Sequence, residues 1–245
     1  LNVPISKEAS WLWTSINKWH RLSCELMRDS TKDDTLVEKL RSFDSPTEIV
    51  YIRKLIDQMN SPVVFAHNDL QEGNILLKQN KNSRQVAFID FEYCAYNYRS
   101  FDIANHFAER IYGYKSRTPP YFTEHKDEYP TRDEQLTFIR TYLAEYNALQ
   151  SNSRAPNRGD SQRRPMSPRF KAWFSEASSP EEQMLKEIQV FSLAGHIFWI
   201  LWGIVQGHVS TINFGYLEYA KARINHYLED KIRLEEEIDA SYRSL

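Results

Sequence analysis

A polar stretch with the residue types and spacing that phosphoryl transfer requires lies between two apolar segments. The stretch HNDLQEGN, from His67 to Asn74, follows PVVFA and precedes ILL. An aspartate followed five positions later by an asparagine offers a carboxylate that can deprotonate a hydroxyl and a carbonyl oxygen that can bind magnesium. Asp69 and Asn74 have this spacing. We therefore predict Asp69 as the catalytic base and Asn74 as a catalytic and magnesium-binding residue.

A second carboxylate follows at the end of the next apolar segment. VAFID ends in Asp90, sixteen residues after Asn74, and Phe91 and Glu92 come next. A carboxylate at this place can join metal ions to the phosphates of a nucleotide. The order parallels the HRDxxxxN and DFG elements of protein kinases. Asp and Asn are also common turn residues, so the pattern alone leaves a purely structural role as the alternative.

Composition limits the classes of protein that carry these motifs. The chain has 245 residues, 41% of them hydrophobic, and a formal net charge of -2. A near-neutral chain gives no reason to expect nucleic acid as a partner. Its two cysteines, Cys24 and Cys94, form no CxxC pair, which argues against a disulfide framework or structural zinc. We expect a compact globular protein in a reducing compartment, the cytoplasm.

The elements that must position the motifs are mostly helical. Apolar periodicity and capping signals predict helices; the signals are Ser45-Pro46-Thr47-Glu48, Thr131-Arg132-Asp133-Glu134 and Ser179-Pro180-Glu181-Glu182. The segments PVVFAH, NILLK and QVAFID predict a small β unit around the polar stretch, with QNKNSR as a turn-rich connection. The apolar run 188–205 has nearly the length of a membrane span, but its Gln189, Ser192 and His196 favour a buried core helix. The predicted helices span residues 11–28, 46–59, 132–149, 181–208 and 215–238.

Residues 151–179 are predicted to form a flexible insertion. The part from Ser151 to Lys171 carries six Arg or Lys, one Asp and three prolines. Such a composition buries too little apolar surface to order itself. A basic docking motif or a Ser-Pro phosphorylation site is the alternative.

Three long segments resemble a known family. HNDLQEGNILL, FIDFEYCAYNYRSFDIANHFAE and the pair FWILWGIVQ and INFGYLEYAKAR are similar to signature segments of the choline/ethanolamine kinases. The likeness runs from about residue 4 to about 230, except for the insertion. It implies an α+β, mostly helical, protein-kinase-like fold related to aminoglycoside phosphotransferases. It also implies ATP- and magnesium-dependent phosphorylation of choline to phosphocholine, the first step towards phosphatidylcholine, and a homodimer is common in this family.

The resemblance also implies roles for individual residues. Asp69 matches the family's base, Gln71 a nucleotide contact, Asn74 and Asp90 the magnesium ligands, and Glu92 a carboxylate near a second metal ion. The residues that match the family's choline pocket are Tyr93, Glu109, Tyr114, Trp199, Trp202 and Tyr219.

The residue types of this pocket suit a quaternary ammonium. Trimethylammonium has no N–H to donate, so aromatic faces and one carboxylate must recognise it by charge and shape. Trp199 and Trp202 are three residues apart and so share one helix face. A separate polar stripe at i, i+3, i+4 and i+7 ends in Glu109, and this helical spacing could turn Glu109 inward. Spacing alone favours ordinary core packing for these aromatic residues, and the family resemblance reverses that preference. The stripe comprises Asp102, Asn105, His106 and Glu109.

Parts of a kinase are missing from this sequence. It contains no Walker A motif, no kinase-type Gly-rich loop and no VAIK-like lysine. We therefore expect residues 1–245 to be the C-terminal, catalytic and choline-binding lobe of a two-lobe kinase, inactive without an N-terminal nucleotide-binding lobe. The alternatives are a kinase for ethanolamine or another amino alcohol, and a non-catalytic choline-binding module.

Overall fold

The computed structural model describes residues 9–29, 35–80, 83–152 and 165–245. They form a mostly helical α+β fold with short strands, as predicted. Single 3-10 turns follow β1, β3 and β6 in the chain. The helices are α1 (Ser10–Asp29), α2 (Thr35–Arg41), α3 (Ser45–Ile56), α4 (Arg99–Glu109), α5 (Arg132–Asn152), α6 (Pro168–Ser175), α7 (Pro180–Val209) and α8 (Tyr216–Arg243). The strands are β1 (Val63–Ala66), β2 (Ile75–Asn80), β3 (Ser83–Phe88), β4 (Ala95–Tyr98), β5 (Tyr112–Gly113) and β6 (Thr123–Glu124).

Helix α7 is the centre of the hydrophobic core. It packs against α8, α4, α1, α3 and α5. It is also the one described helix long and apolar enough to cross a membrane, and 89% of its most apolar window is buried inside the protein. A helix that is apolar on all sides needs neighbours on all sides. The burial agrees with the core helix predicted from its polar residues.

The described residues form three two-stranded antiparallel sheets. Strand β1 pairs with β4, with Val63 opposite Tyr98, and β5 pairs with β6. Strand β2 pairs with β3 from Ile75 opposite Phe88 to Asn80 opposite Ser83. The two strands therefore extend into residues 79–84, which the sequence predicted as a connection. Strand β4 was not predicted, because it follows the Asp90 motif directly and has no alternating pattern.

The helix-start signals were right in two cases and misplaced in a third. Thr131 and Glu134 exchange backbone and side-chain hydrogen bonds before α5, and Ser179 caps α7 by accepting from the backbone N–H of Glu182 at 3.2 Å. Before α3, the prediction of Ser45 as the capping residue is wrong. Asp44 is the cap, since its carboxylate accepts from the N–H of Thr47 at 3.3 Å. Ser45 is the first helical residue.

Helix α6 lies within residues 151–179, where the sequence predicted a flexible insertion. Its Phe170 and Trp173 are 2% and 1% exposed, and the helix packs against α8. Phe170, Trp173 and Phe174 lie on one short helix and supply apolar surface for packing. The basic composition of the preceding residues gave no sign of this surface. This end of the predicted insertion is an ordered helix. Residues 153–164 lie outside the described part, where the insertion stays a prediction.

Candidate active site

Helix α4 holds the polar stretch between β1 and β2 in place. Asp102, in the first turn of α4, accepts hydrogen bonds from the backbone N–H groups of His67 at 2.9 Å and Asn68 at 2.7 Å. Asn68 has a positive φ of 67°, a conformation that asparagine tolerates better than most residues. A charged acceptor for two consecutive N–H groups offsets the cost of this strained turn. The turn positions the next residue, Asp69, whose side chain is partly buried.

Two further residues of the predicted polar stripe, Asn105 and His106, also face this loop. Asn105 donates to the carbonyl of Asn68 at 3.4 Å, and the ring Nδ1 of His106 lies 2.9 Å from the carbonyl oxygen of Leu70. Side chains at i, i+3 and i+4 share a helix face, so one side of α4 reaches along the loop. The stripe therefore positions the proposed base through backbone groups rather than through its carboxylate.

Asp69 and Asn74 are in direct contact. The amide nitrogen of Asn74 donates to the carboxylate of Asp69 at 3.0 Å and to its backbone carbonyl at 2.9 Å. Asn74 is 4% exposed, and the amide orientation turns its oxygen away from Asp69. Burial raises the pKa of Asp69 to about 6, against the opposing effect of His67 and with a smaller contribution from the nearby charge of Asp90. At neutral pH most of this carboxylate is ionised and able to accept a proton.

The Asp90 motif joins the same site through backbone contacts. The Nε2 of His67 lies 2.9 Å from the carbonyl oxygen of Ile89, and the N–H of Ile89 donates to the carbonyl of Asn74 at 3.1 Å. Asp90 itself has a positive φ of 63°. Asp90 and Glu92 are exposed to solvent. The loop after β1 and the loop after β3 thus lie side by side, with Asp69 partly buried and the carboxylates of Asp90 and Glu92 facing solvent.

The donor set of these loops fits magnesium. Among the described residues, no group of three His, Cys, Asp or Glu side chains could enclose a metal ion. Magnesium in phosphotransferases is held by one or two carboxylates together with substrate phosphates, so a complete protein cage is not required. Asn74, Asp90 and Glu92 are the oxygen donors that the sequence predicted for this role. The exposed carboxylates of Asp90 and Glu92 leave room for phosphate oxygens.

Gln71 has a local structural contact. Its side-chain oxygen accepts from the backbone N–H of Gly73 at 2.7 Å and caps the 3-10 turn Glu72–Asn74. This contact shapes the loop ahead of Asn74. A role of Gln71 in nucleotide binding stays a prediction.

Four of the predicted substrate-binding residues form one aromatic cluster. Tyr93 and Trp199 have ring centroids 5.8 Å apart, Trp199 and Trp202 are 5.2 Å apart, and Trp202 and Tyr219 are 6.4 Å apart, all nearly edge to face. The indole N–H of Trp202 donates to the hydroxyl of Tyr93 at 3.0 Å. Trp199 donates to Asn105 at 2.6 Å, which joins the cluster to α4. Trp202 and Tyr93 are only partly buried, so they form the accessible side of the cluster.

Glu109 and Tyr114 lie at the other side of the cluster with a residue that the sequence analysis missed. Tyr114 donates to Glu109 at 2.7 Å. Arg223, fully buried, donates to Glu109 and to the hydroxyl of Tyr219. Its guanidinium lies over the ring of Tyr112, 4.5 Å from the centroid. Arg223 follows Tyr219 by four residues, and this i, i+4 relation on one helix was the available signal.

Arg223 changes the electrostatics that the sequence predicted for Glu109. Burial lowers the pKa of Arg223 to about 9, which leaves the guanidinium charged at neutral pH. Glu109 is therefore a partly neutralised carboxylate in a buried ion pair. The sequence had predicted Glu109 as the only charged group that faces a bound cation.

Two surface clefts lie away from these residues. One, of about 670 Å³, is an open groove on α5, and its lining includes Phe138 and Tyr142. The other, of about 180 Å³, lies between α5, α7 and α8, with Asp230 and Ser192 in its wall. Neither cleft is lined by a predicted site residue.

Oxygen-donor loops of this kind, with a partly buried carboxylate beside a second acidic loop, are the parts that phosphotransferases use, and in this respect the fold and the site resemble those of kinases. The family model for choline/ethanolamine kinase matches residues 1–228. The chain belongs to the choline/ethanolamine kinase family.

Named relatives agree with this assignment. Choline kinase alpha from Mus musculus is 38% identical over 96% of this chain and 48% of its own length. A choline/ethanolamine kinase from Rattus norvegicus is 39% identical over 96% of this chain and 54% of its own. The crystal structure of a choline kinase from Cryptosporidium parvum superposes with a TM-score of 0.67 at 30% identity, over 96% of this chain and 60% of that one. The chain spans about half the length of the curated relatives it matches.

Proposed function

We propose that this chain supplies the base, the metal ligands and the acceptor pocket for ATP- and magnesium-dependent phosphorylation of choline. The observation that carries the proposal is the position of Tyr93. Its backbone carbonyl accepts from the side chain of Asn68, next to the base, at 2.9 Å, and its hydroxyl accepts from Trp202 in the aromatic cluster at 3.0 Å. One residue thus joins the acid–base loop to the surface that suits a quaternary ammonium.

The chemistry assigned to Asp69 is general-base catalysis. The choline hydroxyl oxygen attacks the γ-phosphorus of ATP, its proton passes to the Asp69 carboxylate, and the bond to the bridging oxygen of ADP breaks. The hydrogen bond from Asn74 at 3.0 Å fixes the carboxylate for this transfer. Magnesium, when bound, would neutralise charge on the phosphates. Asn74, Asp90 and Glu92 are the residues that would hold it.

The nucleotide site requires more than this chain supplies. Large apolar side chains around the Asp90 loop are exposed, among them Leu77 at 58%, Phe88 at 48% and Phe91 at 61%. Apolar side chains concentrated on both sides of a two-stranded hairpin are unfavourable in water and indicate a surface that other material covers. This supports the assignment of residues 1–245 to the C-terminal lobe of a two-lobe kinase. We assign the Gly-rich loop and the phosphate-binding lysine to the other lobe.

Choline is favoured over ethanolamine by the aromatic surface. Methylated ammonium gains cation–π and packing contacts of about 0.5–2 kcal/mol with each desolvated ring. Ethanolamine keeps three N–H donors and would need more acceptors than the buried pair of Glu109 and Arg223 leaves available. Ethanolamine as a second substrate is the alternative, and the dual name of the rat relative supports it.

A non-catalytic choline-binding module is the other alternative. It would keep the aromatic cluster and have no need of the base. The direct contact of Asn74 with Asp69 and the raised pKa of that carboxylate favour the enzyme. The free thiols of Cys24 and Cys94 support the predicted cytoplasmic location. A homodimer remains part of the proposal by family resemblance.

The proposal is tested by transfer of radiolabelled phosphate from ATP to choline with the full-length protein, with ethanolamine as the competing acceptor. We expect magnesium-dependent formation of phosphocholine. Calorimetric binding of choline without any transfer would support the binding module instead. Absence of both would contradict the proposed function.

A further inference from the structure

A buried chain of polar residues continues from the proposed choline pocket to the far side of the core. Arg223 uses its three nitrogens on three different groups. Nη2 donates to Glu109 and, at 2.6 Å, to the hydroxyl of Tyr219. Nε donates to the same hydroxyl at 3.0 Å, and Nη1 lies 3.4 Å from Nδ1 of His196. Arg223 and His196 are 0% and 2% exposed. The guanidinium is therefore shared between the pocket and a histidine behind it.

The position of the proton on His196 follows from its partners. Arginine can only donate, so Nδ1 of His196 must be the acceptor and the ring proton lies on Nε2. Nε2 is 3.4 Å from the carboxylate of Asp230, which also accepts from the hydroxyl of Ser192 at 3.3 Å. Asp230 is 27% exposed and borders the cleft of about 180 Å³ described above. The chain thus runs from a solvent-accessible carboxylate, through a neutral imidazole, to the guanidinium.

The sharing of Arg223 limits how far it neutralises Glu109. One carboxylate oxygen of Glu109 accepts from Arg223 and, at 3.4 Å, from the hydroxyl of Tyr219, while the other accepts from Tyr114 at 2.7 Å. A guanidinium with a free second nitrogen closes on a carboxylate through two parallel hydrogen bonds. His196 occupies that second nitrogen. Part of the negative charge of Glu109 then remains available to a cation in the aromatic cluster.

We propose that His196, oriented by Asp230, is a positioning residue that keeps Arg223 from fully neutralising Glu109 and so sets the affinity of the pocket for a cationic head group. The inference rests on the proposed function, because it assumes that the cluster binds choline. Neither His196 nor Asp230 touches the ligand in this arrangement. Both act through the guanidinium.

The test compares choline with its uncharged carbon isostere, 3,3-dimethylbutanol, in calorimetric titrations of the full-length protein without nucleotide. In His196→Ala the freed nitrogen of Arg223 pairs with Glu109. Choline affinity should fall about tenfold. This is the order of effect of one hydrogen bond to a charged group, here the second bond from Arg223 to Glu109. Affinity for the isostere should stay within about twofold, because the aromatic surface is unchanged. His196→Asn, whose side-chain oxygen can replace Nδ1 as acceptor, should restore choline affinity.

Two further variants keep the test decisive. Asp230→Ala, at the partly exposed end, removes the acceptor of the His196 Nε2–H and should weaken choline binding about threefold through a poorer orientation of His196. This variant decides the test if His196→Ala does not fold. His208→Asn is the matched control, a histidine on the same helix whose Nδ1 lies 2.8 Å from the carbonyl oxygen of Ile204, and should bind choline as the unmodified protein does.

The outcomes separate the two proposals. If the unmodified protein does not bind choline, the proposed function fails. If the unmodified protein binds choline, the positioning role is wrong when Asp230→Ala and every folded His196 variant bind both choline and the isostere with unchanged affinity. Equal loss for both ligands in His196→Ala would also overturn it, because that pattern reports a collapsed pocket rather than a lost charge.

Discussion

Arg223 and Glu109 form an ion pair in the interior of the protein, with side chains 0% and 3% exposed. Removal of one partner from such a pair leaves an uncompensated buried charge and costs about 3–5 kcal/mol. We expect Glu109→Gln to lower the free energy of unfolding by about this amount and to weaken choline binding. Chemical denaturation followed by circular dichroism measures the first effect.

The control for this pair is an exposed one. Glu229 pairs with Lys126 at 2.8 Å, and both side chains are about half exposed. Glu229→Gln should change stability by less than about 1 kcal/mol, because solvent screens surface pairs. Equal effects of the two substitutions would show that the Glu109 pair is not the stabilising contact described.

Asp69→Asn should lower kcat for choline phosphorylation by about 100-fold or more, since a general base contributes at least this factor. Choline affinity should change little, because the base acts in the transition state. The shape of the side chain and its contact with Asn74 are retained. Steady-state kinetics on the full-length protein measure both quantities, with Asp127→Asn, an exposed substitution, as the control. Near-normal turnover would remove Asp69 from the role.

The raised pKa of Asp69, about 6, predicts the pH dependence of the reaction. A base is active when deprotonated, so kcat/KM should fall as the pH drops through about 6 and level off above it. The residual rate of Asp69→Asn should lack this acidic limb. A limb near 4, the ordinary range of an aspartate, would mean that Asp69 is not buried as described.

Asp90→Ala should raise the magnesium concentration needed for half-maximal activity. Loss of an outer-shell partner costs about 10- to 100-fold in metal affinity, and loss of a direct ligand should cost at least as much. Titration of activity with magnesium at saturating ATP and choline tests this. Glu92→Gln should have a smaller effect of the same sign. Unchanged magnesium dependence in Asp90→Ala would exclude the metal-binding role.

Trp202→Ala should raise the choline KM by about 10- to 100-fold, a loss of about 1.4–3 kcal/mol in packing and cation–π attraction. Trp202→Phe should lose less, because an aromatic face remains. The affinity ratio of choline to 3,3-dimethylbutanol distinguishes this role from core packing. A preference for the cation that is unchanged in Trp202→Ala would contradict the cation site.

Trp173→Ala should lower the free energy of unfolding by about 3–5 kcal/mol, the cost of a cavity in place of a buried aromatic side chain. Thermal or chemical unfolding measures it. Lys171→Ala, exposed on the same helix, should change stability by less than about 0.5 kcal/mol. A neutral Trp173→Ala would support the flexible insertion predicted from the sequence and contradict the packed helix α6.

The sequence by itself determined the motifs and most of the helices. The contact of Asp69 with Asn74 follows from a five-residue spacing within one loop, and the inward face of α4 follows from a stripe of polar residues at helical spacing. The long helices α5 and α7 follow from apolar patterns with capping residues at their starts, and α8 follows from its apolar pattern without a side-chain cap. Local interactions govern all of these, so a single stretch of chain carries the information.

Only the tertiary structure decided which distant residues share a site. Arg223 is 114 positions from Glu109, and no local pattern marks it as the partner of that carboxylate. The buried position of Trp173 likewise depends on α8, which packs over α6 although a basic segment precedes it. Strand β4 exists because β1 offers it a hydrogen-bonding edge. Burial, ion pairing and strand pairing join segments far apart in the chain, and their energies depend on the surroundings that folding brings together.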